Sequence, residues 1–191
     1  MPPGSTVLFL CSPDGMQINE LHLRWGLIPF WAKDKKEVGM LINARAETLF
    51  EKPAFCQPIK SKRGIMVMSG FYEWHLEQGI KQPYYVTSKN QEYLAIAALW
   101  DTWQSGDEVI HSCCLITTDA NELMRPIHHR MPVLLSKEDQ MIWMNNQEYN
   151  PGQLISIMQP CSGDDLISYR VTREMNTAAF DLPDAILPLA F

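Results

Sequence analysis

Residues that could carry out chemistry are concentrated in four short stretches that are otherwise largely apolar: RWGLIPFW (24–31), INARAET (42–48), SGFYEWH (69–75) and IHHRMPV (127–133). In the third stretch, Glu73 stands between two aromatic residues, directly after an apolar run that begins at Ile65. A carboxylate that is buried without a partner costs free energy or shifts its pKa upward. A carboxyl group whose pKa lies near neutrality can donate and accept protons. SGFYEWH is therefore a candidate for acid–base chemistry.

Two of the other stretches place further polar groups among apolar ones. In INARAET, polar side chains alternate at Asn43, Arg45 and Glu47, and in a strand-like segment all three would point the same way. In IHHRMPV, the titratable imidazole of His128 stands close to the fixed charge of Arg130. Each residue has a plainer interpretation, since Glu73 could form a structural ion pair with Arg45 and His128 could be a core histidine. Taken together, the four stretches favour a site.

The order and spacing of six segments also resemble a known family. The segments are RWGLIPFWAKD, INARAETL, SGFYEWH, PYYV, LITTDAN and IHHRMPVLL, and the resemblance runs from about Pro3 to about Pro183. The family is that of the SOS-response-associated peptidases (SRAP), sensors that crosslink themselves to abasic sites in single-stranded DNA. The resemblance implies one SRAP domain of the α+β class with DNA in a basic groove. It also implies crosslinking by an N-terminal cysteine, whose amine and thiol close a thiazolidine ring with the open sugar, and the family's lyase and autopeptidase activities.

The resemblance assigns the catalytic residues to Asn43, Glu73 and His128. Imine formation needs proton transfers at the carbinolamine oxygen and at the amine, which suit a carboxylic acid or an imidazole. Burial of Glu73 between Tyr72 and Trp74 is expected to raise its pKa into the useful range. Asn43 can hold a sugar or phosphate oxygen without titrating. His129 is expected to be structural or to face outward.

The expected partner is single-stranded DNA that contains abasic sites, and neither a metal nor a cofactor is expected. Arg45 and Arg130 are predicted to bind phosphates as bidentate forks, and Trp31 to offer a face for an unstacked base. Thr117, in LITTDAN, and Lys52 complete the predicted DNA-binding residues.

The sequence departs from the family pattern at both ends. It begins Met1-Pro2-Pro3-Gly4, whereas family members open with Met-Cys-Gly-Arg some thirty residues earlier in the pattern, so residues 1–191 are expected to be an SRAP domain truncated at its N-terminus and deficient in crosslinking. A misplaced or trimmed start, or a natural variant that binds without crosslinking, would explain this. Near the other end, VTREMNTAAFDLPD keeps Asn176 but has Phe180 where the family usually shows an asparagine.

Two other functional classes remain open. One is a cysteine peptidase that uses Cys113 or Cys114 with His128. Neighbouring strand residues point to opposite faces, so at most one thiol could face the imidazole, and neither lies in a basic context that would lower its pKa. The other is a non-catalytic module that binds single-stranded DNA.

Composition narrows the class of protein. The chain has 191 residues and a net charge of −6, yet residues 1–63 hold nine Lys and Arg against six Asp and Glu, so a phosphate-binding face should draw on this first third. Five cysteines without a CxxC pair indicate reduced thiols. Apolar stretches fall far short of the roughly 18 residues that a membrane span needs, and no signal peptide is evident, so a cytoplasmic protein, nucleoid-associated when bound to DNA, is expected.

The pattern of apolar residues predicts the elements that must position these groups. A hairpin is expected from Val7–Cys11 and Asn19–Trp25, joined by a turn at Ser12-Pro13-Asp14-Gly15. Further strands are predicted at Ile65–Trp74, Gln82–Thr87, Tyr93–Trp100 and His111–Thr118, and helical segments at Ala46–Phe50, Lys137–Met144 and Pro151–Met158, with a turn at Asn121–Met124. Because strands dominate and helices come late, the predicted fold is α+β with a mostly antiparallel, curved or barrel-like sheet.

Overall fold

The computed structural model describes residues 1–177 and 179–189. Its strands are β1 (Thr6–Cys11), β2 (Asn19–Trp25), β3 (Asn43–Arg45), β4 (Arg63–Met68), β5 (Gly70–Glu77), β6 (Ile80–Ser88), β7 (Leu94–Ser105), β8 (Glu108–Asp119), β9 (Arg130–Pro132) and β10 (Leu166–Arg170). Its α-helices are α1 (Pro58–Ser61), α2 (Lys137–Met144) and α3 (Pro151–Ile157), and short 3₁₀ helices occupy Ala46–Thr48, Arg173–Asn176 and Pro183–Ile186. Among the described residues, every helix is too short or too polar to cross a membrane.

The chain divides into two compact units that alternate along the sequence. The first unit comprises residues 1–67, 95–118 and 132–159, and the second comprises residues 68–94, 119–131 and 160–191. The predicted catalytic residue Asn43 belongs to the first unit, whereas Glu73 and His128 belong to the second.

The first unit is built on a closed ring of five strands in the order β2-β1-β4-β7-β8, in which β8 returns to pair with β2. The β1–β2 hairpin pairs antiparallel from Thr6↔Arg24 to Cys11↔Asn19. The ring closes through a short parallel pairing, Arg24↔Ser112 and Trp25↔Cys113. β3 pairs with β8 further along the same edge as β2, also in parallel. The predicted barrel-like sheet is thus confirmed, with both parallel pairings on the edge of β8 that is opposite to β7.

Apolar side chains from these strands and from the helices form the main core of the first unit. It includes Phe55, Leu99 and Ile116 together with Trp143 of α2 and Leu154 of α3. Ser136 begins α2 by accepting the backbone N–H of Asp139 at 3.1 Å. This hydroxyl cap and the buried apolar face explain why the sequence pattern predicted α2 with the right bounds.

Arg63 is a fully buried cation at the start of β4. Its guanidinium donates to five backbone carbonyls, those of Ile59, Lys60, Trp143, Asn145 and Glu148. Burial lowers the pKa of Arg63 to about 10. The carbonyls at the ends of α1 and α2 are thereby satisfied by one side chain.

The second unit contains a three-stranded antiparallel sheet in the order β10-β6-β5. One face carries a row of tyrosines, in which the Tyr85 ring lies 5.0 Å from that of Tyr72 and 5.9 Å from that of Tyr169. The C-terminal segment packs on this row, because the hydroxyls of Tyr72 and Tyr169 donate to the carbonyls of Ala185 and Ile186. The opposite face carries Glu73, His75 and Glu77 of β5, together with the buried Phe71.

Several predicted elements are confirmed and others are corrected. The strand predicted over Ile65–Trp74 is wrong as a single element, because β4 ends at Met68 in the first sheet and β5 begins at Gly70 in the second. The predicted alternation of Asn43, Arg45 and Glu47 stops after Arg45, because Glu47 lies in a 3₁₀ helix rather than in β3. The predicted helical segment Ala46–Phe50 is shorter and 3₁₀ in type.

Candidate functional site

The second unit brings Glu73 and His128 together. Nδ1 of His128 lies 3.7 Å from Oε2 of Glu73, and the two side chains keep 36% and 22% of their surface exposed. Burial raises the pKa of Glu73 above its usual value, while the positive charge of His128 and a hydrogen bond from the backbone of Trp74 act in the opposite direction. A partly exposed carboxyl with a raised pKa beside an imidazole is a pair that can exchange protons with a bound molecule.

A compact turn fixes the imidazole of His128. The side chain of Asn121 accepts the backbone N–H of Met124 at 3.0 Å, and the N–H of His128 in turn donates to the Met124 carbonyl at 2.9 Å. Nδ1 of His128 also lies 3.2 Å from the backbone nitrogen and 3.1 Å from the carbonyl oxygen of Arg130. His129 is exposed, as expected, with its ring 4.5 Å from that of His128.

The raised pKa of Glu73 and its cause, burial, are as predicted, but the residues predicted to bury the carboxyl are wrong. Alternate residues of a strand point to opposite faces, so Tyr72 and Trp74 lie on the other side of the sheet from Glu73. Tyr72 contacts the tyrosine row there, 5.0 Å from Tyr85. On the Glu73 face, the register places Tyr84 directly across from the carboxylate.

Two further contacts in the second unit involve predicted or missed residues. The guanidinium of Arg130 donates to Oδ1 of Asp119 at 2.9 Å, and Asp119 itself is 80% exposed. Asn176 holds the edge of β5, because its side chain accepts the indole N–H of Trp74 at 2.9 Å and donates to the carbonyl of Lys81 at 3.1 Å. The family resemblance had identified Asn176 as retained, but no role was predicted for it.

In the first unit, Asn43 and Arg45 lie on β3 with exposed side chains on either side of the buried Ala44. The parallel register with β8 sets Asn43 against Leu115 and Arg45 against Thr117. Paired residues of neighbouring strands project to the same face, so Arg45 and Thr117 share one. Thr117 is 9% exposed, which leaves Arg45 as the accessible member of that pair.

The aromatic and basic residues predicted for DNA binding also lie in the first unit. Trp31 is 44% exposed and its indole donates to the carbonyl of Pro53 at 3.3 Å, next to the exposed Lys52. Phe30, which the sequence reasoning overlooked, is 54% exposed. The available sequence signal was its position directly before Trp31, in a segment already singled out.

The cysteines proposed for a peptidase are poor nucleophiles here. Cys113 and Cys114 are both inaccessible to solvent. Burial raises the pKa of Cys113 to about 12 and raises that of Cys114 further. Since the thiolate is the attacking form, the burial and the raised pKa values of these thiols disfavour the cysteine-peptidase hypothesis.

The chain is similar to known proteins over most of its length. The family model for SOS response associated peptidase (SRAP) matches residues 1–178. The chain is 40% identical over 186 residues to "Abasic site processing protein YoqW" of Bacillus subtilis (strain 168), which covers 96% of this chain and 83% of that protein. It is 27% identical over 194 residues to "Abasic site processing protein HMCES" of Gallus gallus, covering 88% of this chain and 57% of that protein. A crystal structure of a protein from Bacteroides thetaiotaomicron superimposes with a TM-score of 0.89 at 29% identity, over 98% of this chain and 82% of that one.

Proposed function

Because the chain belongs to the SOS response associated peptidase (SRAP) family, we propose that it processes abasic sites in single-stranded DNA. The names of its relatives support the reaction class. The observation that carries the proposal is the pair of Glu73 and His128, whose facing atoms lie 3.7 Å apart and whose carboxyl has a pKa raised by burial.

The pair fits the proton transfers of aldehyde capture. Attack of an amine on the sugar aldehyde gives a carbinolamine, and loss of water from it requires a proton on the departing oxygen. Glu73 in its protonated form donates that proton, and His128 accepts the proton that the amine nitrogen releases. Attack of a thiol on the resulting imine then closes a thiazolidine ring, with no change in oxidation state.

Ring closure needs a nitrogen and a sulfur from one terminal residue. The five cysteines of the chain lie at internal positions, 11, 56, 113, 114 and 161. We therefore assign the covalent step to a polypeptide that also carries the family's terminal cysteine. Lyase and autopeptidase activities belong to the same proposal.

The remaining predicted residues hold the DNA in this proposal. Arg45, Lys52 and Arg130 bind phosphates, Trp31 stacks on a base, and Asn43 binds a sugar or phosphate oxygen. The exposure of Arg45 and Lys52 supports their proposed role in binding phosphates.

Denaturing electrophoresis after mixing with abasic single-stranded DNA tests the covalent step. The 191-residue chain is compared with the same chain preceded by a family-type segment that opens with Cys after removal of Met. We expect a heat-stable shifted band from the extended chain only. A heat-stable band from the 191-residue chain, or none from the extended chain, would contradict the assignment.

Binding is tested separately by fluorescence anisotropy with single-stranded and blunt duplex oligonucleotides over a range of salt concentrations. We expect preference for the single strand, and Arg45→Ala should reduce the slope of log affinity against log salt by about one. Equal binding to both forms would count against the proposed substrate. Binding without processing by the extended chain would favour the alternative, a non-catalytic binding module.

A further inference from the structure

We propose that Asp101, paired with Lys62, is a positioning residue that holds residues 26–32, the aromatic loop, in the conformation that presents Phe30 and Trp31 to single-stranded DNA. This inference rests on the proposed function. All of the residues that carry it lie in the first unit.

Asp101 is a buried carboxylate on β7 with three donors. It has no solvent exposure. Its carboxylate accepts the backbone N–H of Phe30 at 2.9 Å and that of Thr102, the next residue on β7, at 2.8 Å. The ammonium of Lys62 lies 2.5 Å away and also stands 5.6 Å from the centre of the Trp100 ring. A buried charge is tolerated only when donors and an opposite charge compensate it, so this carboxylate and the loop amide are mutually dependent.

Two more side chains hold the aromatic loop at alternate positions. The hydroxyl of Ser112 on β8 accepts the N–H of Ile28 at 2.9 Å, and the indole of Trp103 on β7 donates to the carbonyl of Ala32 at 2.7 Å. The side chains of Ile28 and Ala32 are buried against Trp103. Asp101 thus supplies the central one of three attachments, at Phe30.

The loop also begins at a position that suits only glycine. Gly26 has a φ of 128°, and a Cβ atom there would lie 2.8 Å from the side chain of Met40. Glycine tolerates this conformation, which L side chains rarely adopt. The chain can therefore leave β2 directly into the attached loop.

The attachments leave two aromatic side chains in solvent. Phe30 and Trp31 are 54% and 44% exposed although apolar rings gain free energy by leaving water. A freely moving loop could fold these rings inward, whereas a loop fixed at its backbone cannot. A binding surface that is already ordered avoids the entropy loss of ordering on association, and that is the advantage we assign to Asp101.

A double-mutant cycle with Asp101→Ala and Trp31→Ala tests the inference, read out as affinity for a single-stranded oligonucleotide by anisotropy. We expect each single variant to weaken binding about tenfold, as for loss of one stacked base, and the double variant to lose less than the product of the two single losses, because Asp101 acts in part through Trp31. Glu108→Gln is the matched control, because it removes an exposed carboxylate whose partner, Lys35, lies 2.6 Å away. The control should bind like the wild type with a normal melting temperature.

Amide hydrogen exchange in the unmodified chain supplies a test that does not depend on the folding of any variant. The amide of Phe30 should be protected in the free protein to about the level of Ile28, and DNA should add little protection. Protection that appears only with DNA would overturn the inference, as would fully additive losses in the cycle. If the wild type did not bind single-stranded DNA, the proposed function and this inference would both fall, whereas binding with additive losses would remove the inference alone.

Discussion

Two glutamates of the same strand lie in surroundings that shift their pKa values in opposite directions. Glu73 and Glu77 lie four residues apart on β5 and face the same side of the sheet. Burial raises the pKa of Glu73 above its usual value. The hydroxyl of Tyr84 lowers the pKa of Glu77 by donating to it at 2.7 Å, and the guanidinium of Arg170, at 3.0 Å, lowers it further.

The contrast shows how the fold separates a reactive carboxyl from a structural one. Glu77 is occupied by donors within hydrogen-bond distance, so it has little capacity to exchange protons with a ligand. Glu73 has its ionic neighbour at 3.7 Å, outside hydrogen-bond distance, and a hydrogen bond from the backbone of Trp74, although its side chain is 22% exposed and that of Glu77 is 21% exposed. Residue type, strand and sheet face are the same, and the neighbours distinguish the two roles.

The largest expected effect separates the two carboxyls by activity. In the extended polypeptide that carries a terminal cysteine, Glu73→Gln should slow processing of abasic single-stranded DNA by about 100-fold, because a general acid contributes about that much or more. Glu77→Gln is the matched control and should stay within about twofold of the wild type, since it removes no proton donor from the pair. Rates come from single-turnover electrophoresis. Equal losses in the two variants would show that the contrast has no bearing on catalysis.

Removing the imidazole should sharpen the contrast. His128→Ala removes a positive charge that lowers the pKa of Glu73, so that pKa should rise further, and processing should fall by about tenfold or more. Carbon-13 NMR titration of the glutamate carboxyls measures the shift. The pKa of Glu77 serves as the internal reference and should not move. A large loss of thermal stability in this variant would instead support a core-histidine role.

The pH dependence of stability should have opposite signs at the two sites. The folded chain holds a proton on Glu73 more readily than the unfolded chain, so its contribution to stability falls as the pH rises from the usual value of 4.5 through the raised folded pKa. The contribution of Glu77 is present above 4.5 and is lost as the pH falls through its lowered folded pKa.

Melting temperatures between pH 3 and pH 8 check these signs. Relative to the wild type, Glu73→Gln should gain stability as the pH rises, whereas Glu77→Gln should lose it. Parallel curves for the two variants would contradict the assigned pKa directions.

The smallest effect should come from Tyr84→Phe. This change deletes the hydroxyl that donates to Glu77 and leaves the ring in place, so the pKa of Glu77 should rise toward its usual value. The same NMR titration should show the pKa of Glu73 nearly unchanged, even though the register places Tyr84 opposite Glu73. A comparable shift at Glu73 would mean that the two sites are coupled.

Local sequence patterns predicted the elements whose signals are local. The β1–β2 hairpin follows from two strand-like segments around a Ser-Pro-Asp-Gly turn, and α2 follows from apolar residues at spacings of three and four. The break between β4 and β5 has no such signal, because apolar and aromatic residues continue on both sides of Ser69. Pairing partners far away in the sequence decide which sheet each half joins.

The sequence indicated candidate residues for the site but not which side chains surround them. Glu73 and His128 are 55 positions apart, and the family resemblance rather than any spacing placed them in one site. The flanking aromatic residues suggested burial of Glu73, but strand alternation directs them to the opposite face. The hydrogen bond from the backbone of Phe30 to Asp101 joins residues 71 positions apart, and no local sequence pattern predicts it.

The parallel seam between β2 and β8 has a consequence for how the barrel assembles. It joins residues 88 positions apart, Arg24 to Ser112, through only two register pairs, with Cys113 donating weakly to the Arg24 carbonyl at 3.7 Å. The β1–β2 and β7–β8 hairpins can form from residues that are close in the sequence. The seam forms only when the long intervening chain is closed into a loop, and the conformational entropy lost on closure precedes the few contacts that compensate it. We expect the hairpins to appear early in refolding and the seam to close last, so that substitutions at Ser112 should accelerate unfolding while leaving the refolding rate nearly unchanged.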